Sequence, residues 1–111
     1  MEFYYQNAYK HVDNEVMTRR VLSHAGGLML VEVIFHKAGD DYGLHAHPHE
    51  QIAVITKGSF EFINQQTGNV CILNEGDSIY FEPNVVHGGK PLVDGATLLD
   101  IFTPQRDDFL T

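Results

Sequence analysis

Residues that permit tight backbone reversal recur along this chain at short intervals, and they set what it can fold into. Gly26-Gly27, the Gly39–Gly43 stretch, Lys57-Gly58, Gln66-Thr67-Gly68-Asn69, Asn74-Glu75-Gly76-Asp77, Pro83-Asn84 and Asp94-Gly95 each supply glycine, proline, asparagine or aspartate where a turn needs it. The runs between them carry strand signals. They are expected over Val16–Leu22, Leu28–His36, Gln51–Thr56, Ser59–Asn64, Val70–Leu73, Ser78–Phe81 and Ala96–Thr103. In the second run Met29, Val31, Val33 and Phe35 share one face, while the other face (Leu30, Glu32, Ile34, His36) is only half polar. Many short strands with closely spaced turns predict an all-β fold, a small single-domain antiparallel β-barrel or sandwich. A helix has room only at the extreme N-terminus. Residues 1–15 read as an arm, and residues 16–111 as the domain.

Composition narrows the function classes. A chain of 111 residues with 43% hydrophobic content suits one core and one domain. A formal net charge of −8 argues against binding nucleic acid or an anionic membrane through a broad basic face. An anionic substrate must therefore be held by a local positive feature. Cys71 is the only cysteine, which precludes an intrachain disulfide, and its strand-like neighbours predict a buried thiol. The opening MEFYYQNAYKHVDNE has no continuous apolar region, and no run approaches a membrane span, so a cytoplasmic location is expected.

The densest chemical signal is the block HAHPHEQ, residues 45–51. Residues two apart on an extended segment face the same way, so His45 and His47 can aim imidazoles at one point. Pro48 interrupts the alternation and leaves His49 unplaced, with a supporting or surface role expected. From Gln51 a strand begins whose one face carries Gln51, Ala53 and Ile55. His87, after the turn Glu82-Pro83-Asn84, is a fourth candidate. Three imidazoles and an amide oxygen form a plausible donor set for a divalent ion such as Zn, Ni, Fe, Co or Mn. Neutral Gln51 would leave such an ion its full charge, favouring Lewis-acid chemistry. His11, His24 and His36 lack ligand spacing and read as surface or edge residues, and Glu50 points away from Gln51.

The wider frame is Gly39-x5-His45-x-His47-x3-Gln51-x6-Gly58, followed by Gly76-x5-Glu82-x-Asn84-x2-His87. It resembles the two signature motifs of the cupin superfamily, in which two histidines and an acidic residue of the first motif and one histidine of the second ligate a metal inside a jelly-roll barrel, the double-stranded β-helix. Three departures stand out. Gln51 replaces the usual Glu, Glu82 and Asn84 replace a Pro and a Gly, and Pro91 stands where an Asn is common.

The C-terminal run LLDIFTPQRDDF, residues 98–109, places Leu98, Asp100 and Phe102 on one face and Leu99, Ile101 and Thr103 on the other. One carboxylate among apolar neighbours is costly to bury unless paired or functional. Either Asp100 and Arg106 form an ion pair closing the barrel, or Asp100 is a general acid/base and Arg106 grips a substrate carboxylate. Together with RRVLSHAGGLMLVEVIFHKAG and PNVVHGG, this tail resembles the KdgF-type cupins, the pectin-degradation proteins, over Thr18 to Leu110. The resemblance implies linearisation of 4,5-unsaturated uronates from pectin or alginate to 5-keto-4-deoxyuronate. It further implies His45, His47, Gln51 and His87 as metal ligands and Asp100, Phe102 and Arg106 as active-site residues. A metal-dependent dioxygenase and a non-catalytic sugar-binding sensor are the competing readings. The aromatic residues Phe3, Tyr4, Tyr5 and Tyr9, with the half-apolar strand faces, predict a homodimer whose N-terminal arm packs on a second copy.

Overall fold

The computed structural model describes residues 1–8 and 10–111; the expectation for Tyr9 lies outside the described residues. Among the described residues nine strands are formed: β1 Lys10–Asp13, β2 Met17–Ala25, β3 Leu28–Phe35, β4 Glu50–Lys57, β5 Ser59–Ile63, β6 Val70–Asn74, β7 Ser78–Phe81, β8 Gly89–Pro91 and β9 Thr97–Thr103. The only helical turns among the described residues are 3-10 turns at Gln6–Ala8 and Asp107–Phe109. A six-stranded sheet runs β1-β2-β3-β9-β4-β7, and a three-stranded sheet runs β6-β5-β8. Every pairing within them is antiparallel. The last strand is inserted between β3 and β4, a crossover that makes the two sheets a jelly roll. Among the described residues no continuous ladder closes them.

The period-two patterns foretold which side chains point inward. Gln51, Ala53 and Ile55 of β4 are buried while their neighbours on the other face are not, and Leu98, Asp100 and Phe102 of β9 are buried likewise. Two apolar clusters result. One joins Ala53, Ile55, Phe60, Phe62, Phe81, Ala96 and Leu98. The other joins Val21, Met29, Val31 and Phe102. The inner face between them is where the chemistry sits.

Seven of the nine strands coincide with expected runs to within a few residues. The two others carry no periodic signal. Strand β1 is polar and exposed along its length and forms by pairing on the edge of β2, within the segment set apart as an arm. Strand β8 is a three-residue piece, Gly89-Lys90-Pro91, paired antiparallel with β5 at the edge of the small sheet. It needs glycine because a Cβ at position 89 would lie 2.5 Å from the Phe62 ring. The expectation for Cys71 is overturned: its thiol is exposed. Strand β6 is the edge of the small sheet and is nearly all exposed, so a strand-like neighbourhood did not imply burial.

Phe60 has no exposed surface and anchors the larger cluster, stacking edge-on against Phe35 with ring centroids 5.6 Å apart. Replacing it by alanine leaves a cavity that rigid strands cannot close. Phe60→Ala is expected to cost about 3–5 kcal/mol in chemical denaturation; a loss below 1 kcal/mol would mean that the core repacks around the void.

Candidate metal centre and adjoining cavity

Two halves of the centre, distant in sequence, meet at one β-bridge. The His45 amide donates to the His87 carbonyl at 2.9 Å and the His87 amide donates back to His45 at 2.8 Å. A further bond from the Asn84 amide to the His47 carbonyl, 2.8 Å, ties the second turn to the first motif. Asn84 adopts φ +64°, a left-handed conformation that asparagine tolerates better than most residues with a Cβ. Its departure from the usual glycine therefore leaves the turn intact. Gly88 makes the approach possible, since a Cβ there would overlap the Tyr42 carbonyl.

His45, His47 and His87 offer ring nitrogens that all lie within 4.8 Å of one another. Each ring is aimed by its own chain. Nδ1 of His45 faces the Gly43 carbonyl at 2.7 Å, Nδ1 of His47 the His49 carbonyl at 3.1 Å, and Nδ1 of His87 the Val85 carbonyl at 2.8 Å. A carbonyl only accepts, so each Nδ1 carries a proton and each ring turns its Nε2 the other way. Burial lowers the pKa of His47 and brings that of His87 down to about 4, keeping both rings neutral at pH 7. His49, which alternation could not place, is half-buried and serves through its carbonyl, as the support of His47.

Gln51 Oε1 lies 3.0 Å from His47 Nε2 and 3.2 Å from His87 Nε2. Its amide nitrogen donates to Asp100 Oδ1 at 2.7 Å, which fixes the orientation of the amide. Lone pairs on two imidazoles therefore face a lone pair on an amide oxygen. Neutral groups so arranged repel, and a cation among them converts the repulsion into coordination. The donor set fits a divalent ion, as nitrogen and neutral oxygen ligands with oriented supports. His45 is the exposed member of the set and marks its open side.

A cavity of about 390 Å³ adjoins the cluster, with His45, Gln51, His87, Asp100, Phe102 and Arg106 among its lining residues. The expected site residues are thus brought together. Asp100 is 6% exposed, and burial pushes its carboxyl up to about 7, against the opposing pull of the Gln51 hydrogen bond and the Arg106 charge. Phe102 packs edge-on to His47, ring centroids 5.7 Å apart. The Asp100–Arg106 ion pair does not form. Arg106 instead donates Nε and Nη2 to Asp108 at 3.0 and 2.9 Å, because the 3-10 turn that follows it presents that carboxylate two residues away.

Sequence reading missed Arg19, Tyr42 and Phe109, which also line the cavity. Tyr42 donates to Glu61, which also pairs with Lys90 at 3.0 Å, so the Gly39–Gly43 loop is tied down beside the site. The signal for Arg19 was its alternation with Met17 and Val21, an inward parity on β2.

Known proteins resemble the chain throughout. The Cupin_2 family, described as a cupin domain, matches residues 31–101. The pectin degradation protein KdgF of Dickeya dadantii (strain 3937) is 39% identical over 93 residues, covering 83% of this chain and 82% of that protein. The solved structure of an RmlC-like cupin from Shewanella frigidimarina superposes with a TM-score of 0.83 at 31% identity, covering 98% of this chain and 96% of the other. That of KdgF from a Halomonas species gives 0.82 at 27% identity, with coverages of 96% and 98%. The chain belongs to the cupin superfamily and, within it, to the KdgF-type pectin-degradation cupins.

Proposed function

We propose that this chain is a metal-dependent enzyme that opens the ring of 4,5-unsaturated uronate monomers from pectin or alginate breakdown, giving 5-keto-4-deoxyuronate. The observation that carries the reading is a single buried carboxyl, Asp100, hydrogen-bonded to a candidate metal ligand at the wall of a monosaccharide-sized cavity. The reaction is an isomerisation. A proton leaves the anomeric hydroxyl, the O–H electrons form the C1 carbonyl, and the bond from C1 to the ring oxygen breaks. Those electrons form the C5 carbonyl, and the former C4–C5 π pair takes a proton at C4. No water and no co-reactant is consumed, so one group that accepts a proton and returns it suffices.

Asp100 is that group. A carboxyl pushed up to about 7 exchanges protons in both directions near neutral pH. The Gln51 amide holds one carboxyl oxygen in place. Phe102 forms an apolar wall that keeps water from the enol, and Arg106 supplies positive charge near the acid group of the substrate. When bound by His45, His47, Gln51 and His87, a divalent cation (Zn, Ni, Fe, Co or Mn) would supply Lewis-acid stabilisation of negative charge on a substrate oxygen.

The same reading includes a homodimer in the cytoplasm. Leu30, Ile101, Ile52 and Tyr80 stand opposite one another across four strands on the outer face of the large sheet. Ile52, Ile101 and Tyr80 are 43–47% exposed, as are Phe3 and Tyr5 of the arm to a greater degree. Such a stripe invites a second copy. No helix among the described residues is long and apolar enough to cross a membrane.

Three outcomes are expected. Ultraviolet absorbance of an unsaturated galacturonate monomer falls faster with the protein than without it, and a chelator abolishes the acceleration. Asp100→Asn folds and retains metal but loses about 10²- to 10⁴-fold in rate; full activity in that variant sinks the assignment, and oxygen uptake in place of ring opening favours a dioxygenase. The second concerns the metal-free protein. An acid whose folded pKa is raised loses stability as pH rises from its unfolded value of 3.8 through about 7. The gap in unfolding free energy between Asp100→Asn and wild type therefore widens between pH 4 and pH 8 in favour of the variant. Its limit is about 4 kcal/mol, from 1.36 kcal/mol per pH unit of that interval. His47 and His87 titrate in both proteins and cancel in the difference, so a pH-independent gap would contradict the burial of a charge at position 100. Third, sedimentation gives a two-chain mass, which Ile52→Asp combined with Ile101→Asp reduces to one chain.

A further inference from the structure

The cavity holds a second guanidinium that the mechanism above leaves unused. Arg19 stands opposite Val33 of β3, and Val33 stands opposite Leu98 of β9. Asp100 follows two residues along on the same face of β9. Only β3 separates β2 from β9, so the two backbones are roughly 10 Å apart. A monosaccharide and an arginine side chain span that distance together.

The charge of Arg19 lacks a carboxylate. Among the described residues it forms no ion pair and no side-chain hydrogen bond; its Cζ lies 3.8 Å from the centroid of the Phe109 ring. Burial lowers its pKa from the ordinary arginine value, Asp108 opposes the fall, and Arg106 adds to it. Arg106 lies on the same aromatic ring, 4.2 Å from the centroid, but is in a different condition. Its Nε and Nη2 donors already go to Asp108, which fills one of its two forked edges and cancels its charge. Of these two guanidinium groups at the cavity, Arg106 is paired with a carboxylate and Arg19, among the described residues, is not. Phe109 also packs edge-on against Phe102, centroids 5.7 Å apart, so the free one is braced by the wall of the site itself.

On the uronate reading, we propose that Arg19 receives the substrate carboxylate and sets the preference for acidic over neutral sugars, while Arg106, held by Asp108, forms a fixed wall above Phe102. A purely structural Arg19, clamping the C-terminal turn by its cation–π contact, would be indifferent to the charge of the ligand. That difference supplies the readout.

The experiment is calorimetric titration of zinc-loaded protein with D-galacturonate and with its methyl ester, ligands that lack the reacting double bond. Wild type is expected to favour the acid by about tenfold or more. Arg19→Gln should lose most of that preference, the remainder coming from Arg106 and the zinc, and Arg19→Lys, which keeps the charge without the planar fork, should retain more of it. Equal weakening of both ligands in Arg19→Gln, an unchanged acid-to-ester ratio, or a wild type without preference would each overturn the assignment. Ring-opening activity on the unsaturated monomer is scored separately. Turnover without acid preference defeats Arg19 alone, and acid preference without turnover defeats the ring-opening reading alone.

Discussion

The amide of Gln51 is the pivot of the site. Its nitrogen donates to Asp100, so its oxygen must face the two buried imidazoles. One hydrogen bond of 2.7 Å thereby sets the polarity of the whole cluster. The side facing the imidazoles becomes a nest of lone pairs that suits a cation, and the side facing β9 becomes a donor that suits a carboxyl. A glutamate at this position would set two carboxyl groups face to face in a buried space, where one must remain protonated. Glutamine spares Asp100 a second carboxyl in direct contact and takes no charge from a bound ion.

This arrangement relies on apolar packing as much as on hydrogen bonds. His87 stacks on Phe81 with ring centroids 4.1 Å apart and planes 19° from parallel, and His47 meets Phe102 edge-on. The phenyl rings belong to different core clusters, so the imidazoles are wedged where the clusters meet. The burial that packs them also depresses their proton affinity, and the carbonyls of Val85 and His49 fix which nitrogen stays bare. The same desolvation acts with opposite sign on Asp100, raising an acid while lowering two bases. A single physical cause thus keeps three groups near neutral forms that can ligate or exchange a proton.

Alternation made much of this legible in the sequence. Inward parity assigned Gln51 and Asp100 to the interior, and the glycine and asparagine turns delimited the strands that carry them. What stayed hidden has local causes. Pro48 interrupts the alternation, so the service of His49 through its backbone could not be read from side-chain pattern. Strand β8 exists because Gly89 fits under Phe62, a long-range contact without periodic trace. Cys71 lies on a strand whose edge position depends on the order of the small sheet. The partner of Arg106 depends on how residues 107–109 turn, since the Asp107-Asp108 pair offered a nearer carboxylate than Asp100. Arg19 sat in plain alternation with Met17 and Val21, but a strand pattern does not distinguish an arginine that lines a cavity from one at an edge.

Charge ties these levels together. The chain carries a formal −8, so at a distance it repels an anionic sugar. In physiological salt that repulsion decays over about 8 Å, whereas groups inside a low-dielectric cavity are screened far less. On the proposed uronate function, recognition of an acid would arise at short range, from Arg19, Arg106 and a cation held by neutral ligands. Neutral donors matter for that reason: with a carboxylate at position 51, part of the local positive charge would be spent inside the protein. Glutamine leaves that charge for an anionic ligand.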